Sequence, residues 1–340
     1  MTTRSETAWD TRAPTRPGQG LLVTSGLLCL VPAVGATWLR IVPPVDGTPA
    51  LLASFIPYGL VFWLPASVLL VVAAVRARAR KGFARTSLVL LSLLTLVGLL
   101  ATAGWQLPAF LPDNRPATTA PLTILSLNVE HGGADPSATA GQAVGADVVS
   151  LVEATPDWIA SLPLSFREEF PYAVGAPLQN DVGSVVFARF PITSSEALPR
   201  SSFQQWAAVV DTPQVGALRV VAVHPCNPFC GPGLWPAEHT ELRTWLDRQG
   251  GGPTVVAGDF NAVDDHGPMQ QLYADGWRSA AELAGAGFVP TFPANRRIPP
   301  VIGIDHVLVG DRLTASAFST FEVAGTDHLG VRAVLAGAAS

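Results

Sequence analysis

Apolar residues in this chain follow two patterns, and the change falls near residue 120. Before it they run on almost unbroken. Three windows, Leu21 to Leu39, Leu51 to Val75 and Ser87 to Trp105, contain no charged residue. As a helix, each is long enough to cross a hydrocarbon core of about 30 Å, which takes roughly 20 residues. Pro32, Pro57 and Pro65 would break helices in water but are tolerated within a bilayer. A cleaved signal peptide or a buried core helix would account for one such window, but not for three in succession. The pattern predicts a tail over residues 1–20 and a three-helix transmembrane domain over 21–107.

After residue 121 the apolar residues gather into short β-rich runs separated by turns. Strands are predicted over 122–129, 147–153, 183–188, 218–224, 253–258, 303–309 and 330–335. A helix is predicted over 236–249, where Pro236 stands at the start and Leu242, Trp245 and Leu246 form an apolar stripe. A shorter helix is expected at Met269–Tyr273. Many strands with few long helices predict an α+β domain of packed sheets with helices outside, over 122–336. Between the two parts, residues 108–121 (PAFLPDNRPATTAP) have no period and much Pro and Thr. They read as a linker stiffened towards polyproline II, reaching roughly 40 Å at about 3.1 Å per residue.

Charge sharpens the division. Residues 1–120 carry ten Lys and Arg against four Asp and Glu, whereas residues 121–340 carry eleven against twenty-two. The basic residues of the first part gather in the tail (Arg4, Arg12, Arg16) and between the second and third windows (Arg76, Arg78, Arg80, Lys81, Arg85). With three spans these two segments lie on one side of the membrane, and the positive-inside rule makes that side cytoplasmic. Trp38 and Trp105 then mark the outer interface. The expectation is a multi-pass plasma-membrane protein with a cytoplasmic N-terminus and its acidic domain outside. Cys29 sits in the first window as packing. Cys226 and Cys230, in a Pro- and Gly-containing loop, suit a small disulfide in an oxidising compartment. A zinc site completed by His224 is the poorer alternative, because a second Cys pair is missing.

Candidate chemistry sits at the ends of the predicted strands. The first ends in Asn128 and the second in Glu153. The fourth ends in His224, and the fifth leads through Gly258 into Asp259 and Asn261. Asp305 and His306 stand in the sixth, and Asp327 and His328 precede the last. An isolated Asp-x-Asn is as readily a turn former as a catalytic pair. Six ends carrying only Asn, Glu, Asp and His are harder to attribute to turns. Glu153 suits a hard divalent cation such as Mg2+, with Asp327 as a second ligand. His224 and His328 suit donation to phosphate oxygens, and Asp305 suits orienting His328. Asp259 suits taking a proton from water, with Asn128 and Asn261 positioning it.

The ordered set SLNV, VVSLVE, VAVHP, AGDFNA, GIDHVLV and GTDHLGV closely resembles the endonuclease/exonuclease/phosphatase (DNase-I-like) superfamily over about residues 122–336. The resemblance implies a four-layered α/β sandwich, dependence on Mg2+ or Mn2+, and hydrolysis of phosphoester bonds. By motif it implies Glu153 as metal ligand aided by Asn128 and Asp327. It implies Asp259 and Asn261 as orienting the nucleophile, His224 as a phosphate contact, and Asp305 with His328 as an Asp-His pair. His306, where the family often has an aromatic residue, is expected to pack. Two departures stand out. The segment after Asn128 is Gly- and Ala-rich, so its helix is expected to be short, and Thr326 replaces the usual Ser. The three N-terminal spans look like those of actinobacterial membrane members, some linked to glycopeptide-antibiotic resistance.

For substrate, two features weigh. The outer part is acidic and contains no lysine, which suits nucleic acid poorly. Tethering beside the outer leaflet raises the local concentration of membrane-borne substrates. The expectation is a phosphohydrolase acting on a phospholipid or lipid-linked envelope phosphate, with the bilayer as partner. An extracytoplasmic nuclease and a non-catalytic phosphate-binding module are the alternatives. Arg296 and Arg297, in a Pro-rich loop before Asp305, suit clamping a phosphate or remaining solvated. Phe229, Leu234 and Trp235 suit either lipid contact or a core. Oligomeric state is not legible.

Overall fold

A computed structural model describes residues 18–79, 82–113, 115–179, 183–199 and 201–339. The tail arginines Arg4, Arg12 and Arg16, together with Arg80 and Lys81, lie outside the described residues. Among the described residues, four α-helices precede the first strand: α1 (Gln19–Ile41), α2 (Gly47–Ala53), α3 (Gly59–Arg76) and α4 (Phe83–Gln106). Three stretches, Gln19–Ile41, Ile56–Arg76 and Phe83–Phe110, are long and apolar enough to cross a membrane. The second begins later than the apolar window at Leu51. The chain leaves α2 after Ala53 and re-enters helix through a 3-10 turn at Ile56–Tyr58. Pro57 has no N–H to give a helix continuing from α2, a constraint that hydropathy does not register.

Contacts divide the chain into two units, Met1–Trp38 with Tyr58–Gly104, and Leu39–Pro57 with Trp105–Ser340. The first unit packs its helices through small residues. A Cβ on Gly98 would fall 2.3 Å from the Trp63 ring, and one on Gly26 would fall 2.8 Å from Leu70. Trp63 Nε1 donates to Thr37 Oγ1 at 3.1 Å, so the indole N–H is satisfied without water.

The second unit continues through β1 (Leu122–Asn128), α5 (Pro136–Ala143), β2 (Val148–Val152), α6 (Pro156–Ser161), α7 (Leu164–Glu169), β3 (Tyr172–Ala176) and β4 (Ser184–Ala188). Then follow β5 (Ile192–Ala197), β6 (Trp206–Thr212), β7 (Gly216–Val223), α8 (Leu234–Asp247), β8 (Thr254–Asp259), α9 (Gly267–Ala274), β9 (Arg278–Ser279) and α10 (Ala280–Leu283). The last strands are β10 (Asp305–Val309), β11 (Leu313–Phe321) and β12 (Gly330–Gly337). They form two six-stranded mixed sheets, ordered β11-β12-β1-β2-β4-β3 and β5-β6-β7-β8-β10-β9. Their facing surfaces bury one apolar cluster that includes Ile124, Val148, Val220, Val255, Val307 and Ala333. A second cluster under α5, α6 and α7 covers the outer face of the first sheet, and a third under α8 and α9 covers the second. The α+β class and the four layers expected from the resemblance are thus observed.

Parallel pairing decides where the site lies. β1 runs parallel to β2, and β7 parallel to β8, so each pair opens its C-terminal ends together, and the hydrogen bond from Asn128 to Asp259 sets the two pairs at one rim. β10 is antiparallel to β8 with Asp305 opposite Asp259, and β12 is antiparallel to β1, so these two strands begin at that same rim. The strands that pattern did not predict are β3, β5, β6, β9 and β11. β3, β5, β9 and β11 stand at sheet edges, where a strand need not carry a continuous apolar run.

Two segments outside the sandwich belong to the second unit. Residues 39–57 place Ala50 in the cluster beneath α8 and α9. Residues 108–121, read from composition as a linker, lie along the domain: Asp113 N donates to Leu283 O, and Thr118 N to Gly337 O, each at 2.8 Å.

Buried histidines make this layer pH-sensitive. His239 Nε2 donates to Phe260 O at 3.1 Å. His266 accepts Val263 N–H at Nδ1, 3.0 Å, and donates from Nε2 to Ala50 O, 2.9 Å, so the neutral ring is fully used. Burial lowers the pKa of His239 to about 3 and that of His266 to about 4, from 6.5. Burial raises Asp265 to about 6 from 3.8, although the Arg40 guanidinium lies 2.8 Å away. As pH falls below 6.5 the unfolded chain protonates both histidines while the folded chain resists, so stability drops. Asp265 acts in the opposite sense between about 6 and 3.8, because the folded state takes that proton first. The net is about one proton throughout, at roughly 1.4 kcal/mol per pH unit. From these three groups, thermal unfolding of the full chain should therefore lose about 2 kcal/mol between pH 6.5 and 5. An unfolding midpoint that stays flat over that range would refute the neutral, dry placement of the two rings.

Candidate functional site

Asn128 and Glu153 come from adjacent strands of the first sheet. Asn128, the last residue of β1, is buried; its Nδ2 donates to Glu153 Oε1 at 2.8 Å and to Asp259 Oδ2 at 3.2 Å. Its Oδ1 accepts Glu130 N–H at 2.9 Å. Glu153 follows β2 with a left-handed backbone, φ 59°, and its Oε2 accepts His131 N–H at 3.0 Å. Such a backbone in a non-glycine residue is uncommon and marks a side chain aimed by its surroundings. Burial raises the Glu153 pKa, against the Asn128 hydrogen bond and His131, which favour the carboxylate.

His224 and Asp259 come from adjacent strands of the second sheet. A Cβ on Gly258 would fall 2.0 Å from Val223 O. Only glycine allows β8 to approach β7 this closely, and the approach sets Asp259 beside His224. His224 Nε2 lies 3.6 Å from Glu153 Oε1 and 3.7 Å from Asp259 Oδ2, and its ring stacks on Phe203 with centroids 4.6 Å apart. Buried Glu238 of α8 holds the chain on both sides of that stack, accepting Ser202 N–H at 2.8 Å and Cys226 N–H at 2.9 Å. Cys226 and Cys230 are joined in a disulfide, so the zinc alternative for this pair is excluded. Asn261 is left-handed, φ 48°; its N–H donates to Asp259 Oδ1 at 2.7 Å and its Nδ2 to Pro225 O at 3.0 Å. The Asx turn and the strand-end cluster are therefore one object.

Asp305 and His328 complete the rim. His328 Nδ1 pairs with Asp305 Oδ2 at 2.9 Å, and its Nε2 lies 3.7 Å from both Asp259 Oδ2 and Asp327 Oδ1. Burial by itself would lower the His328 pKa, but Asp305, Asp259 and Asp327 outweigh it and raise the value to about 10. The imidazolium is then the resting form at neutral pH, with Nε2–H directed into the acidic cluster. Thr326 uses its hydroxyl as a serine would, donating from Oγ1 to Asn128 O at 2.8 Å and accepting His328 N–H at 3.1 Å.

The carboxylate and histidine atoms fall into two overlapping groups, Glu153 with His224 and Asp259, and Asp259 with Asp305 and His328, each within 4.8 Å. Burial raises the pKa of Asp259 as well as Glu153. Several carboxylates crowded together at low dielectric are under-compensated by the two histidines, so the donor set fits a hard divalent cation at its Glu153 side. His306 packs: its Nε2 pairs with Ala262 O at 2.8 Å and its ring meets Phe260 edge-on. Arg296 and Arg297 are exposed in the loop closed by the Phe292–Ile302 bridge. Phe292 at the base of that loop rests on the His328 ring, centroids 4.9 Å apart.

Pattern did not find Glu130, His131, Phe203 or Phe292. Glu130 and His131 enter the site because residues 130–132 all turn left-handed. Gly133 and Gly325 let two loops meet backbone to backbone: a Cβ on Gly325 would fall 2.1 Å from Gly133 O. The Gly132-Gly133 pair was the available signal for a tight turn.

A family model described as the endonuclease/exonuclease/phosphatase family matches residues 125–328. Among solved structures, an endonuclease/exonuclease/phosphatase from Beutenbergia cavernae is 20% identical, with a TM-score of 0.52, covering 64% of this chain and 72% of that one. A family protein from Bacteroides thetaiotaomicron is 14% identical, TM-score 0.51, covering 65% of this chain and all of that one. A functionally unknown protein from Enterococcus faecalis is 15% identical, TM-score 0.51, covering 64% and 100%. These structures share the fold of about two thirds of the chain. No curated protein matches the chain in sequence.

Proposed function

The chain belongs to the endonuclease/exonuclease/phosphatase family, and from that membership we propose a membrane-anchored, divalent-metal-dependent phosphohydrolase. Its site faces away from the cytoplasm and hydrolyses a phosphoester or pyrophosphate bond in a phospholipid or a lipid-linked envelope substrate. The observation that carries the chemistry is the convergence on one rim of Asn128, Glu153, His224, Asp259, Asp305 and His328, within hydrogen-bonding or ion-pair distance of one another. The membrane setting rests on the three apolar helices and on an acidic second half without lysine.

Glu153 with Asn128 and Asp327 would hold the divalent cation, Mg2+ or Mn2+, which when bound would offset phosphate charge. Asp259 takes the proton of the attacking water, and Asn261, whose N–H already fixes Asp259 Oδ1, orders that corner. His224 and His328 donate Nε2–H to non-bridging phosphate oxygens, whose charge rises in the transition state. Asp305 holds His328 protonated and in place. Arg296 and Arg297, exposed in the loop whose base Phe292 rests on His328, would meet a phosphate or head group.

Purified full-length protein, assayed with Mg2+ and with chelator on lipid pyrophosphate, phospholipid and DNA, tests the reading. Metal-dependent phosphate release from a lipid is expected. Acid-soluble nucleotide released from DNA far faster than phosphate from any lipid would overturn the substrate class. No turnover on any of the three would overturn the enzyme.

A further inference from the structure

Residues 39–57 and 105–111 of the second unit form a face whose apolar side chains point the wrong way for water. In α2 the two buried residues are alanines, Ala50 and Ala53, while Leu51 and Leu52 are exposed. A helix folding onto an aqueous domain would place leucine inward and alanine outward. The same inversion continues beside it, with Ile41, Val42 and Val45 exposed on one side and Leu107, Phe110 and Leu111 on the other. Phe229 and Leu234 extend it across the disulfide loop, where Gly47 N donates to Pro228 O and Asp46 accepts Gly233 N–H at 2.7 Å. Trp235, by contrast, is fully buried in the core.

Charge on these two segments is confined to Arg40 and Asp46. Both are spoken for: Arg40 pairs with Asp265 at 2.8 Å and lies over the Trp105 ring, and Asp46 accepts from Gly233. The face therefore holds no uncompensated charge that a low-dielectric partner would have to strip of water.

We propose that this face seats on the phospholipid bilayer, with Leu51, Leu52 and Phe110 in the headgroup and upper acyl region. The chain itself identifies the occupant. The second unit passes into the three apolar helices at residues 38/39, 57/58 and 104/105. Those junctions sit together on this face: Arg40 stacks on Trp105 at 5.8 Å, and Gln106 Nε2 donates to Pro57 O at 3.0 Å. Three membrane-spanning segments leaving from one small area bring that area to the interface, where exposed leucine and aromatic side chains gain from leaving water. His266 joins the face to the rest of the unit, since its ring donates to Ala50 O five residues beyond Asn261. The assignment holds whatever reaction the rim catalyses.

The test uses the full chain with Cys29→Ser and the Cys226–Cys230 disulfide intact, in phosphatidylcholine nanodiscs. Single nitroxides are placed through Leu52→Cys, Phe110→Cys and Val144→Cys. Val144 is an exposed apolar residue beside α5, over the outer face of the opposite sheet. Collision with oxygen relative to a water-soluble nickel chelate should be several-fold higher at Leu52 and Phe110 than at Val144. Equal ratios at all three positions would overturn the proposal. So would shielding at Leu52 accompanied by dipolar broadening that vanishes on dilution with unlabelled chain, because a second copy would then be the occupant.

Discussion

Replacing Asp259 by Asn is expected to reduce turnover by about a thousandfold or more, some 4 kcal/mol of transition-state stabilisation, while leaving the protein folded. The amide matches the carboxylate in shape, and its oxygen still accepts Asn261 N–H, now at 2.7 Å from Oδ1. What it cannot do is take a proton from water. The variant also removes a buried negative charge whose pKa burial has pushed up, which relieves a desolvation cost. Against that, the NH2 replaces Oδ2 and loses the hydrogen bond from Asn128 Nδ2. These two changes oppose one another, so turnover should collapse with a far smaller change in stability. The check is turnover measured beside thermal unfolding. A variant retaining more than a tenth of wild-type turnover would remove Asp259 from proton transfer. A variant that fails to fold would instead assign Asp259 to holding the two sheets together, through its contact with Asn128.

The site was unusually legible because topology converts strand order into place. Each of Asn128, Glu153, His224 and Asp259 ends an apolar run, and two parallel pairs, joined by the hydrogen bond from Asn128 to Asp259, bring all four to one rim. Asp305 and His328 arrive there because their strands run antiparallel to those neighbours. What pattern did not reveal lies where tertiary contact, and not periodicity, sets conformation. Glu130 and His131 depend on a left-handed turn closed against Gly325. Phe203 and Phe292 sit in irregular segments and meet the two histidines only across the fold. The edge strands β5 and β11 carry Ser and Thr because at least one of their faces meets solvent.

The same distinction explains the N-terminal part. Hydropathy found three stretches long and apolar enough to cross a membrane, yet an apolar residue reads alike whether it meets lipid or a protein core. Leu51 and Ala50 differ in where they point by one position on a short helix. Through contacts such as that of Ala50, residues 39–57 belong to the second unit. The segment 108–121 shows the converse: beyond the 3-10 turn at Leu107–Phe110 it forms no α-helix or extended strand among the described residues, yet backbone hydrogen bonds to Leu283 and Gly337 hold it along the domain.

Asp305→Asn carries the second large effect, and its signature is a pH profile. Asp305 stands behind His328, 2.9 Å from Nδ1, and the imidazolium is maintained by Asp305, Asp259 and Asp327 against burial. In the native protein a pKa of about 10 keeps Nε2–H available for a phosphate oxygen throughout the neutral range. The sign follows from proton linkage: because the folded value lies above 6.5, the pairing stabilises the fold below that pH and is lost as pH rises through about 10. Removing the Asp305 charge leaves burial opposed by two more distant carboxylates, each 3.7 Å from Nε2. The ring then becomes neutral within the assay range, and its tautomer is no longer dictated by a negative partner at Nδ1. Turnover at pH 8 should fall by about a hundredfold or more, with a smaller deficit at pH 6 where the proton returns. The His328 ring, followed by NMR in the metal-free protein, should titrate well below its native position. Asp305→Glu, which keeps a carboxylate behind the ring, should recover part of the activity. A deficit of under threefold in Asp305→Asn, equal at both pH values, would mean that Asp305 only packs against His328, and that the histidine donates without its help.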